Sequence, residues 1–173
     1  MERDPIPEAE VHDLAGQLGL RIAAAIEVQV GRQVRPSVAE LGLEDRVTLH
    51  GRIPIEDVPA AIARSDVGLA TTRLDAFTAA SLSTKIFEYA AMGKPVVASA
   101  LPMVERTFPP GSVRGYAPGD AQALATALLE LVDDPAAREA SVAATLEQVR
   151  ERSWEHEAEK HWALIERLIR PGA

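Results

Sequence analysis

Residues 77–99 read FTAASLSTKIFEYAAMGKPVVAS and gather the residue types best suited to hold an anion. Three hydroxyls (Ser81, Ser83 and Thr84) stand in a small-residue loop immediately ahead of a helical stretch that carries Lys85 and Glu88. The first amides of a helix lack internal partners and the helix dipole is positive there, so a phosphate is favoured at that end. Small side chains let such a group approach the backbone. Lys85 and Glu88, three positions apart, share one face of the helix. The lysine is suited to a phosphate and the carboxylate to a pair of sugar hydroxyls. Two plainer assignments use the same residues: Ser83 as an ordinary helix N-cap, and Lys85–Glu88 as an i,i+3 ion pair. Spacing alone leaves both choices open.

The elements that must position these residues alternate along the chain. Short apolar runs at Val47–His50, Val67–Ala70, Pro95–Ser99 and Val113–Tyr116 predict strands. Amphipathic stretches at Ile55–Ser65, Thr84–Met92 and Asp120–Val132 predict the helices between them. That alternation implies an α/β domain with a parallel sheet flanked by helices. The Pro95–Ser99 run is almost wholly apolar and suits a strand covered on both faces. Gly93 and Pro95 stop the helix before it. Asp120 is a helix N-cap, with Leu124, Leu128 and Leu131 at helical spacing behind it. Asp134-Pro135 opens a further helix with Val142, Leu146 and Val149 on one side. Ser153 caps a last helix whose Trp154, Ala158, Trp162, Ile165 and Ile169 form an apolar stripe, in which both tryptophans are expected to be packing anchors. Near the N-terminus, Pro5–Gly19 fits a helix, and Ile22–Val30 fits either a strand or an Ala-rich helix. No repeat divides the chain, so residues 1–173 are read as one domain.

Composition removes several function classes. A formal net charge of −8 with no basic stripe argues against nucleic acid. The absence of cysteine excludes disulfides, thiolate metal sites and thiol catalysis. The four histidines have no metal-ligand spacing, and His156 and His161 are expected on the surface. No run approaches the roughly 18 apolar residues of a membrane span, and the acidic N-terminus does not read as a signal peptide. A cytoplasmic location is expected, with peripheral membrane association as a variant of it. No G-x-G-x-x-G follows a strand, which disfavours a nicotinamide site. "MGKPV" lacks the first glycine and the Ser/Thr of a phosphate-binding P-loop.

The quoted stretch resembles the donor-binding segment of group 1 (family-4) glycosyltransferases, GT-B enzymes built from two Rossmann-like domains. Those enzymes run from a loop into a helix with a glutamate and then A-x-G-x-P-V-V-A-S. This chain reads EYAAMGKPVVAS at that place. Arg73, Asp75, Phe77, Thr78, Leu82, Ser83, Thr84, Lys85, Glu88 and Tyr89 match one branch of the family, written R-x-D-x-F-T…L-S-T-K-x-x-E-Y. The flanks are similar as well, and the resemblance covers about Gly31 to Leu168.

The resemblance implies a retaining transfer of a sugar from a nucleotide-sugar donor, with no metal or other cofactor. Glu88 would accept hydrogen bonds from the nucleotide ribose. Ser83, Thr84 and Lys85 would hold the diphosphate. The turn Gly51-Arg52-Ile53 would lie near the nucleobase. Many relatives place a second glutamate eight residues before the first, where this chain has Ala80. Arg73 and Asp75, in the preceding loop, are the remaining donor-site candidates, with Asp75 the acidic residue available to replace that glutamate. No residue is assigned as catalytic. The family's opening strand and basic loop have no clear counterpart here, so the sheet is expected to lack its first strand and to expose an edge near Val28–Val30. The acceptor domain also has no counterpart. The isolated chain is therefore expected not to transfer sugar, and to associate with a separate N-terminal glycosyltransferase domain or with itself. The alternative from another class is a non-catalytic module that binds a sugar nucleotide or a protein.

Overall fold

The computed structural model describes residues 22–24 and 36–169. Four parallel strands lie in the order β1-β2-β3-β4: β1 is Ile22–Ala24, β2 Val67–Ala70, β3 Val96–Ser99 and β4 Arg114–Tyr116. Ladders pair Gly68 with Val96 and Val97 with Arg114. The helices are α1 (Val58–Ala63, after a 3-10 turn at Ile55–Asp57), α2 (Thr84–Ala91), α3 (Pro102–Thr107), α4 (Ala121–Asp133), α5 (Pro135–Glu151) and α6 (Trp154–Ile169). The expected Rossmann-like α/β sheet is present.

β3 organises the core. Its four residues are all buried, and alternate side chains enter different layers. Val96 and Ala98 meet Ile62 of α1, Ile86 and Tyr89 of α2, and Val104 of α3. Val97 faces the other way, onto Ala127, Leu128 and Leu131 of α4. Gly68 of β2 completes the first layer, because the ring of Tyr89 occupies the space where a β-carbon would stand.

Local chemistry sets the boundaries. α2 closes in a Schellman motif: Gly93 N–H donates to Ala90 (2.9 Å) and Lys94 N–H to Tyr89 (2.9 Å). Gly93 takes φ +66°, as that motif requires. Lys94 then reaches back, and its Nζ donates to the carbonyls of Ala63 (2.9 Å) and Ser65 (2.7 Å) at the end of α1. Asp120 and Asp134 cap α4 and α5 by accepting from Ala123 (3.0 Å) and Ala137 (2.9 Å).

Two expectations are corrected. Val47–His50 alternates in burial but pairs with no strand among the described residues, and without a ladder partner an extended run is not a strand. On the N-terminal side, Ile22–Ala24 does pair with β2, so part of the Ile22–Val30 stretch is a strand. The Pro5–Gly19 helix and the Val28–Val30 edge lie outside the described residues. α5 opens at Pro135 as expected, and its fully buried residues are polar. The Ser141 and Thr145 hydroxyls donate to the Ser112 carbonyl, while Val142, Leu146 and Val149 are half-buried. The second correction concerns the tryptophans of α6, which do not anchor packing. Trp154 is 79% and Trp162 65% exposed, and no described element packs broadly against α6.

The Gly68–Tyr89 contact has a measurable consequence. Gly68→Ala should destabilise the fold by about 1–3 kcal/mol, as overpacking in a close-packed layer does. Urea unfolding of the two proteins checks it, and equal midpoints would contradict the packing described.

Candidate functional site

In an open parallel sheet, ligands sit beyond the carboxyl ends of the strands. A recess of about 210 Å³ opens there, between the ends of β2 and β3 and the start of α2. Its polar wall comes from Thr72, Thr78, Ser81, Ser83 and Ser99, and its floor from Ile86, Leu101 and Val104. Phe77, 79% exposed, stands at the rim.

Ser83 occupies the N-cap position of α2 in extended conformation, yet its hydroxyl makes no capping bond. Only its carbonyl takes part in the helix start, accepting from Ile86 N–H (3.2 Å). The ordinary N-cap assignment therefore fails, and the hydroxyl remains free of that role at the recess wall. The ion-pair assignment fails too: neither Lys85 nor Glu88 makes a side-chain bond to a described residue. Ile86, Tyr89 and Ala90 are the buried line of α2, so Lys85 and Glu88 fall on its outward side, half-buried and exposed respectively.

The remaining candidates divide. Arg73 and Asp75 lie in the exposed loop after β2. Asp75 works within that loop: its Oδ1 accepts from the amides of Phe77 (2.9 Å) and Thr78 (2.8 Å) and from the Thr78 hydroxyl (3.1 Å). The Thr78 hydroxyl also donates to the Arg73 carbonyl (2.6 Å). These bonds, from the Thr78 amide first, hold the Asp75 carboxyl below its ordinary value of 3.8. Thr84 is exposed and lines no part of the recess. Gly51, Arg52 and Ile53 form an exposed turn, with Gly51 at φ +70°, and are likewise absent from the recess wall.

Sequence reasoning missed Thr72 and Ser99 as wall residues, whereas Ser81 was already among the loop hydroxyls it named. Ser99 carried a usable signal, since it is a hydroxyl at the end of an otherwise apolar strand. Among the described residues no group of three or more His, Asp or Glu is placed to hold a metal.

The family model for group 1 glycosyl transferases matches residues 11–134. The chain belongs to that family. A search of curated proteins gives no match. Among solved structures, it is similar to a sucrose-phosphate synthase from Thermosynechococcus elongatus, with 28% identity over 80% of this chain and TM-score 0.69. HepE of Anabaena, solved with UDP and glucose, is 22% identical over 87% of this chain, TM-score 0.63. A UDP-forming α,α-trehalose-phosphate synthase from Burkholderia xenovorans is 18% identical over 90%, TM-score 0.62. The match spans only 34%, 42% and 38% of those three proteins' own lengths.

The Asp75 turn should respond to acid in a defined window. A carboxyl with a lowered folded value stabilises its structure above the unfolded value and loses that contribution as pH falls through the folded one. The amide resonances of Phe77 and Thr78 should therefore titrate with a midpoint below 3.8. Movement centred above 3.8 would show that Asp75 does not hold the loop.

Proposed function

We propose that this chain is the donor-binding half of a retaining glycosyltransferase that takes a nucleoside-diphosphate sugar. One observation carries the proposal. At the carboxyl ends of the strands, the Ser83 hydroxyl, unused for capping, adjoins the first amides of α2 beside a recess with hydroxyls on one wall and an apolar floor. In this reading the diphosphate lies against Ser83, Thr84 and Lys85, and Glu88 accepts from the ribose hydroxyls. Developing charge on the leaving diphosphate is met by Lys85 and the helix N-terminus, with no metal in the scheme. The relatives solved with UDP or named as UDP-forming make uridine nucleotides the first donors to try.

The proposal includes a partner. Transfer requires donor and acceptor to be held within about 3–3.5 Å in alignment, and no acceptor-holding element is assigned here. A separate N-terminal glycosyltransferase domain would supply it, and the exposed stripe of α6 is a surface for such a domain or for a second copy. That same stripe is the observation that favours the alternative, a non-catalytic sugar-nucleotide or protein-binding module. Glycosyl transfer in a mixture with the partner domain distinguishes the two. The chemistry belongs in the cytoplasm, where nucleotide sugars are substrates.

A thermal-shift panel tests the ligand class. UDP and UDP-glucose should stabilise the chain by mass action, about 2.7 kcal/mol at a hundredfold excess over Kd, and NAD and ATP should do so less. Glu88→Ala should abolish the shift. It should leave the ligand-free protein within about 0.5 kcal/mol of the parent, because the residue is exposed and unbonded among the described residues. Equal shifts from NAD and UDP would refute the ligand class. A Glu88→Ala protein that binds as before would refute the ribose contact.

A further inference from the structure

At the top of β3, the Ser99 hydroxyl joins three strands' ends through two bonds. It accepts from the Thr72 backbone N–H (2.9 Å) and donates to the Tyr116 hydroxyl (3.0 Å). Ser99 is 1% exposed and Tyr116 7%, so the bond between them is shielded from bulk water, and the Thr72 bond is shielded in part. Thr72 opens the loop that carries Arg73 and Asp75 and leads to Ser83. The loop's other side-chain bonds, from Asp75 and Thr78, are internal to it. Thr72–Ser99 is thus the described side-chain bond that ties the loop to the sheet, and both residues line the recess.

We infer that Ser99 is a positioning residue for the donor: through Thr72 it sets the height of the loop over the recess, with Tyr116 fixing its hydroxyl. The inference rests on the donor-site reading above. A hydroxyl bonded on one side to Tyr116 cannot rotate freely, so its lone pair stays directed at the Thr72 amide. Removing it leaves the part-buried Thr72 N–H and the buried Tyr116 phenol without this partner, which favours a shift of the loop that brings the amide to water. The wall formed by Thr72, Thr78 and Ser81 moves with it, while α2 and Ser83 stay fixed by the core contacts of Ile86 and Tyr89. The recess then changes shape on one side only.

The test separates position from stability. Ser99→Ala, Tyr116→Phe and Ser112→Ala are compared with the parent for UDP affinity by calorimetry and for hydrogen exchange at the Thr72 amide. Ser112 is an equally buried serine whose hydroxyl donates to Pro109 (2.6 Å), but it precedes β4, at the opposite end of the sheet. Ser99→Ala should bind UDP roughly tenfold more weakly, a factor equal to about 1.4 kcal/mol, and should lose protection at Thr72. Tyr116→Phe should fall between the parent and Ser99→Ala in both measurements. Ser112→Ala should lose stability and keep parental affinity. Parental UDP affinity in Ser99→Ala, or an equal loss in Ser112→Ala, overturns the inference alone. If Ser99→Ala does not fold, an unchanged affinity in Tyr116→Phe does the same. A parent that binds no nucleoside diphosphate overturns both the donor-site reading and this inference.

Discussion

A parallel strand covered on both faces can hide its backbone only in ladders on either side, and its side chains only in two separate layers. β3 meets both demands, with Val96 and Ala98 in one layer and Val97 in the other. The rest of the fold depends on that constraint. It requires helices α1, α2 and α3 on one face and α4 on the other, and it leaves no water for a polar side chain. Ser99 ends the strand with such a side chain, which is satisfied by pulling the β2 loop and β4 toward it. The recess exists where that inward pull meets the start of α2.

The opposite end of the sheet is tied together by a different device. Lys94, in the short link between α2 and β3, places its ammonium on two carbonyls at the end of α1, where the helix dipole is negative. A lysine beside a glycine thus has a structural task here, at the end of the sheet remote from the recess. The two ends differ in kind: at one a cation ties carbonyls together beside a wider recess of about 590 Å³, and at the other a recess of about 210 Å³ opens between hydroxyls and the start of α2.

Much of this architecture was legible in the residues. The apolar runs of β2 and β3 and the Asp120 and Asp134 caps are local signals, and local geometry honours them. The family and the position of Ser83, Lys85 and Glu88 on α2 were legible for the same reason. Val47–His50 was misread because strandhood depends on a neighbour, which no pattern within four residues can supply. In α5 periodicity marked the half-buried apolar side, but not the fully buried pair of hydroxyls that share one carbonyl beside it. Asp75 shows a third limit. Its type suits a ligand contact, but no local pattern shows that its Oδ1 also accepts from the amides two and three residues further on. Thr72 and Ser99 lie 27 positions apart, a pairing that only the sheet's topology creates.

Helix α6 carries both of the chain's tryptophans, and both stand in solvent. Indole emission is governed by the polarity around the ring, so the tryptophan fluorescence of this protein is not a report on its core. Denaturant can dismantle β3 and its layers while the two indoles pass from water to water. A change in their emission marks instead the covering of α6. The chain thereby carries a built-in optical probe of whatever docks along that helix.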